Sequence, residues 1–206
     1  CTLLGYDSDT KTAYFSLHIE EKNGTPIAGS KITFSVSRLL GLKTETHDEP
    51  IPLSLDTLAE ADTQTIRLSG FGGDPEEELS QAEWAAYPVL VPQGTLYDLG
   101  DGMEISAVGL IDGQLRVQLA VRDNLRTDNH GFLVLRAADG TELKPLFTVG
   151  YNNVEGRVAP ERVDYTESVF DPPEAGLAGY RLYADTVRSG MLIEGDWQVT
   201  FRLTEE

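Results

Sequence analysis

The chain holds a single cysteine, Cys1, in 206 residues. No intrachain disulfide can form, so a disulfide framework is excluded, although scarcity of cysteine does not fix the compartment. Basic residues are also few: 16 Lys and Arg face 34 Asp and Glu, for a net charge of −18. Phosphate contacts need clustered Lys and Arg, so nucleic-acid binding is not expected. The same charge opposes adhesion to anionic lipid and favours cations or a basic partner. No apolar run approaches the ~20 residues that span a bilayer. The first residues lack the pattern of a signal peptide. The sequence starts without methionine and almost at once enters the apolar Thr2–Leu4, so it reads as a piece of a longer protein. A lipidated Cys1 is the less favoured alternative, because such cysteines lead a polar tether and here Leu3-Leu4 follows.

Catalytic signatures are missing as well. There is no Gly-x-Ser-x-Gly elbow and no internal cysteine nucleophile. His18, His47 and His130 stand far apart, none with a partner at metal-ligand spacing, and they read as surface histidines. Gly70-Phe71-Gly72-Gly73 lacks the Lys-Ser/Thr of a phosphate loop and reads as a flexible loop. Asp7-Ser8-Asp9, Asp123-Asn124 and Asp128-Asn129 resemble fragments of calcium loops, but none completes the ligand pattern, and Asx residues serve turns. Among 34 acids, two at glycosidase spacing will occur by chance. The expectation is no enzyme, no cofactor and no metal.

What the sequence does have is alternation. Met103–Leu110 and Leu115–Val121 are two apolar runs joined across Ile111-Asp112-Gly113-Gln114. Leu115, Val117, Leu119 and Val121 share one face, and Arg116, Gln118 and Arg122 the other, which predicts a strand with one buried and one wet face. Asp112-Gly113 supplies the positive-φ pair of a type I′ hairpin. Similar strands are predicted over Tyr14–Glu20, Lys31–Ser37, Ile51–Leu55, Thr65–Leu68, Phe132–Arg136, Lys144–Gly150, Val163–Phe170, Tyr180–Val187 and Trp197–Leu203. Asn23-Gly24 and Asp139-Gly140 read as turns, and Leu39–Pro50, Asp123–Gly131 and Tyr151–Pro160 as loops. A short helix fits Pro75–Trp84. One-sided strands without helical repeats indicate antiparallel sheets.

The fold class that follows is all-β, two immunoglobulin-like antiparallel sandwiches, residues 1–92 and residues 93–206, meeting at Pro92-Gln93-Gly94. The first holds 15 acids and 6 bases and the second 19 and 10, a net −9 for each.

Trp197 runs in phase with Val199, Phe201 and Leu203 and reads as core. Trp84 and Tyr87 fall in a poorly patterned stretch and are the residues singled out for ligand contact.

Gly195-Asp196-Trp197-Gln198-Val199-Thr200-Phe201-Arg202-Leu203, with Tyr165–Pro173 and Gly179–Tyr183, resembles the extracellular region of anti-sigma-factor-like membrane proteins of Gram-positive bacteria. Their genes commonly adjoin an extracytoplasmic-function sigma factor. The likeness spans about Leu96–Leu203 and lies in strand patterns and turns. It implies a non-enzymatic sensory or spacer region on the outer face of the cell membrane. It also implies a tether through an upstream transmembrane helix outside this sequence, and an extracellular ligand or protein as partner. No functional residue carries over. An adhesin or carbohydrate-binding module of a bacterial surface protein is the alternative.

Overall fold

The computed structural model describes residues 2–7, 9–10, 12–16, 29–73, 79–122, 127–154, 162–174 and 176–202. It is all-β and antiparallel, as the alternation predicts, and the described chain divides into two compact units. Unit one combines Cys1–Ser37 with Glu194–Glu206, and unit two is Arg38–Ile193.

Unit one holds β1 (Thr2–Asp7) and β2 (Thr12–Ser16), which pair with each other. It also holds the first part of β3 (Lys31–Ile51) and the last part of β14 (Arg181–Arg202). Those two strands are hydrogen-bonded neighbours. The Thr33 and Thr200 hydroxyls lie 2.9 Å apart, and Arg202 Nη1 donates to the Gly29 carbonyl at 3.2 Å. Thr33 and Thr200 therefore share a face, which by period two puts Ile32, Phe34 and Val36 with Trp197, Val199 and Phe201 on the other. That face is not a closed core. Trp197 is 43% exposed and Val199 53%, which overturns the core assignment of Trp197. The period holds, but phase alone does not say whether an apolar face is covered. The expected strand over Tyr14–Glu20, the Asn23-Gly24 turn and His18 lie wholly or partly outside the described residues.

Unit two is a sandwich. Its larger sheet has six strands in the order β5 (Gly70–Gly73), β12 (Phe147–Asn152), β13 (Val163–Phe170), β9 (Gln114–Arg122), β8 (Met103–Ile111) and β7 (Tyr97–Gly100). The smaller runs β11 (Glu142–Leu143), β10 (His130–Arg136), β14 and β3. Asp112 and Gly113 take φ of 51° and 77°, the type I′ pair expected between β8 and β9. Leu115, Val117, Leu119 and Val121 of β9 pack with Leu133 and Leu135 of β10 and Leu182 and Ala184 of β14, so this core lies between the two sheets.

The other face of β9 is not wet. Gln118 is fully buried and Arg116 is 5% exposed. A two-stranded sheet, β4 (Thr63–Ile66) with β6 (Tyr87–Leu90), supplies residues to two further clusters on that face, with α1 (Gln81–Ala85) contributing Trp84. At β9 the six-stranded sheet is thus covered on both sides. The helix is shorter than predicted. It starts after Ser80, whose hydroxyl accepts from Glu83 N while Glu83 accepts from Ser80 N, a capping box. Residues 74–78 lie outside the described residues.

Two boundaries read from the sequence fall elsewhere. Leu39–Pro50 is not a loop but part of β3. An edge strand held by main-chain bonds to β14 needs no apolar face. Its polar side chains find partners, Glu49 and Thr46 with Arg188 and Asp48 with Arg136. Pro92-Gln93-Gly94 is not a join between units. Val91 N donates to Asp62 O, Gln93 N to Ser106 O and Leu96 N to Ile105 O, so the segment stays pinned to unit two. Proline and glycine interrupt the strand there without separating two cores. The predicted Lys144–Gly150 return strand is displaced as well: the strand that returns along β10 is β11, which ends at Leu143, and β12 starts at Phe147 and pairs with β13 in the other sheet.

Candidate ligand-binding cleft

Five side chains on the covered face of the large sheet, Glu167, Gln118, Arg116, Ser106 and Tyr151, form a buried polar layer. The register places Glu167 of β13 directly across from Gln118 of β9. Glu167 Oε2 accepts from Leu90 N at 2.9 Å, and Gln118 Nε2 donates to Leu90 O at 2.9 Å. The pair therefore grips both main-chain groups of one residue in β6. Gln118 Nε2 also reaches Tyr151 Oη at 2.6 Å, and Ser106 Oγ donates to Gln118 Oε1 at 2.6 Å. Arg116 Nη1 lies 3.6 Å from Glu167 Oε1 and donates to Tyr87 Oη at 3.0 Å. Burial pushes the Glu167 carboxyl up to about 7, opposed by the Leu90 amide, the Arg116 charge and Gln118. Burial, with the Glu167 and Tyr165 charges, likewise raises the Tyr151 phenol. The members of this layer are buried beneath β6, so its chemistry is that of a fastener.

This layer also places the two residues expected to meet a ligand. Tyr87 is 6% exposed, and its hydroxyl is occupied by Arg116, so it is a structural residue. Trp84 is half-buried on α1, packs into the cluster of Leu68, Val89 and Val149, and borders a shallow hollow with Arg67 and Gln81. The two are near in sequence but serve the cover of the sheet.

The open cavity is elsewhere, at the side of the sandwich. Beyond β9 the inner face of the large sheet passes to β13 and β12, where Thr166, Ser168 and Thr148 replace the aliphatic residues and Gly150 carries no side chain. The smaller sheet stops short of this strip. Its outermost strand, β11, pairs with β10 only at Leu135 and Arg136. From His130 to Val134 the far edge of β10 meets no strand among the described residues. The result is a cleft of about 550 Å³, floored by Thr148, Thr166 and Ser168 and bordered by β10.

Phe132 projects at the rim and is 65% exposed. Lys144 and Pro145 close one end. On the outer side Arg136 Nη2 holds Asp48 at 2.7 Å and Glu142 at 2.6 Å, and its guanidinium lies 4.7 Å from the Tyr183 ring. Asp185 stands directly across from Phe132 and accepts from Asp48 N at 2.8 Å.

Of the residues lining this cleft, the sequence points only to His130 and Gly131, at the end of the Asp123–Gly131 loop, one of two loops where a ligand is expected. His130 and the Asp128-Asn129 pair are both engaged: His130 Nδ1 lies 2.9 Å from Asp128 O, Lys43 binds Asp128 at 2.9 Å, and Asn129 donates to Asp101 O. His47 lies 3.7 Å from both Glu45 and Asp185. The available signal was the exposed aromatic Phe132 in an alternating strand, followed by a proline, Pro145, that stops the next one. Hydroxyls, an open strand edge and one aromatic ring can recognise a ligand by hydrogen bonding and stacking. No protein-family model, curated protein or solved structure matches this chain.

Proposed function

We propose that the chain is a non-enzymatic recognition module, the extracytoplasmic sensory or spacer region of a membrane-anchored sigma-factor regulator, and that its ligand meets the cleft beside β10. The observation that carries the binding part is the mismatch in sheet width, which leaves Thr148, Thr166 and Ser168 under an open strand edge. A cleft with a few placed polar groups on a rigid scaffold is a common form of recognition site. The regulator part rests on the likeness of Leu96–Leu203 to that family. The likeness to immunoglobulin domains extends to two antiparallel sheets packed face to face. Among the described residues no helix is long and apolar enough to cross a membrane. On this reading the tether is an upstream segment.

The test has two parts. The gene upstream of Cys1 should encode a single transmembrane helix preceded by a short cytoplasmic region. The fragment itself should neither retain the neighbouring sigma factor in a pull-down nor hydrolyse glycosides or esters. Sigma binding by this fragment overturns the topology.

The exposed Phe132 beside three hydroxyls favours one second reading, a saccharide site of a surface adhesin. Retention on wall polysaccharide, lost on Phe132→Ala, would establish that instead.

A further inference from the structure

We infer that the cleft takes an extended, lysine- or arginine-bearing peptide segment, which adds to β10 as a new edge strand in line with β11. This rests on the reading of the cleft as the recognition site and names its partner.

The geometry starts from where β11 stops. It pairs Glu142 with Arg136 and Leu143 with Leu135, so its antiparallel continuation would run beside Val134, Leu133 and Phe132. Pro145 has no N–H to give such a ladder, and by Leu146 the chain has left, its amide donating to Val169 O in the other sheet. The far edge of β10 over His130–Val134 thus stands ready for a strand that the described residues do not supply. An open edge of this kind is the usual acceptor for strand addition.

Side-chain positions on the guest follow from the alternation of β10. Gly131 and Leu133 point inward, and His130, Phe132 and Val134 point outward. Inward side chains of a guest would lie over Thr166, Ser168 and Thr148, a floor with room above it. An outward side chain opposite Phe132 would lie along an exposed ring with Asp185 on its other side. A guest cation there can stack on the ring and reach the carboxylate.

Charge selects the same occupant. The charged residues lining the cleft are Asp48, Glu142 and Asp185 against Arg136 and Lys144; Arg136 is paired with Asp48 and Glu142, which leaves Asp185, beside Phe132, as the carboxylate a guest cation can reach, with Lys144 toward the β11 end. The whole chain carries −18, which draws in a basic segment. A second copy placed edge to edge would bring another −18 against it, so self-pairing is disfavoured.

The experiment uses the full chain and two capped peptides of about seven residues. One alternates lysine with valine or threonine, and the other puts glutamate in place of lysine. Binding is followed by fluorescence anisotropy, and site occupancy by amide hydrogen exchange. The lysine peptide should bind, should slow exchange across His130–Val134, and should outbind the glutamate peptide by about tenfold or more. Phe132→Ala removes an exposed ring, leaves the core intact, and should weaken the lysine peptide by about tenfold. Thr166→Arg, which fills the floor, should abolish binding. Equal binding of both peptides, unprotected β10 amides, no binding at all, or a dimer of the chain overturns strand addition. If a saccharide perturbs Thr148, Thr166 and Ser168 without protecting β10, the cleft remains the site and only the strand is wrong. If no probe perturbs the cleft, the recognition reading falls too.

Discussion

Glu167 is a fully buried carboxyl group that holds its proton more tightly than an exposed one. Its ordinary value of 4.5 is raised to about 7, chiefly by burial. A folded-state value above the unfolded one means the native protein holds a proton that the unfolded chain has released. Stability from this group is therefore fully present below pH 4.5, falls as pH rises, and is gone above about 7. The span corresponds to about 3 kcal/mol. Glu167→Gln copies the protonated form and should remove that slope. Urea midpoints of the two proteins, compared from acid to neutral pH, check it; a difference that stays constant with pH sinks the assignment. Tyr87→Phe takes the hydroxyl acceptor from Arg116 and should cost about 1–2 kcal/mol by the same measurement, because a buried guanidinium is left short of a partner. None of this was legible in the sequence. Arg116 and Gln118 alternate with aliphatic residues, and that pattern reads as one wet face. Only the cover from β4, β6 and α1, remote in sequence from β9, makes the polar face internal.

Elements were more legible than their surroundings. The β8–β9 hairpin follows from its alternation and Asp112-Gly113, and Val163–Phe170 has the bounds that its pattern predicts. Failures came where pairing, not burial, makes the strand, as in the polar half of β3. The ribbon face bearing Trp197 makes the converse point, since an apolar period can exist without a cover. With Trp197 43% exposed, Trp197→Ala should lower stability by about 1 kcal/mol or less, where a buried tryptophan would cost about 3–5. A thermal midpoint that collapses on this substitution would return Trp197 to a core. Gly109 of β8 marks a close approach instead. A Cβ there would come 2.5 Å from the Ala61 Cβ, in a segment bonded to β8 through Ala61 N to Leu110 O and Leu110 N to Ala59 O. Gly109→Ala should cost about 1–3 kcal/mol, read from chemical denaturation; a neutral result means the 59–61 segment yields freely.

At the scale of the whole molecule, unit two is an insertion in the sequence of unit one. Among the described residues the three buried apolar clusters all belong to residues 51–184. A chain of residues 38–193 should therefore unfold cooperatively by itself, with a single sharp transition in near-UV circular dichroism. A broad, non-cooperative melt would mean that unit one is needed to hold the sandwich. That division was not legible because the sequence shows composition breaks, such as Pro92-Gln93-Gly94, more plainly than contacts between distant strands. The distance has a consequence in time. Thr33 and Thr200 meet across 167 residues. At a synthesis rate of about 5–20 residues per second, Thr33 leaves the ribosome roughly ten to thirty seconds before its partner exists. The sandwich of unit two waits almost as long, because Leu182 and Ala184 of β14 are made only shortly before Thr200, so β3 stands through that interval with its hydrogen-bonding edge open to chaperones and neighbouring chains.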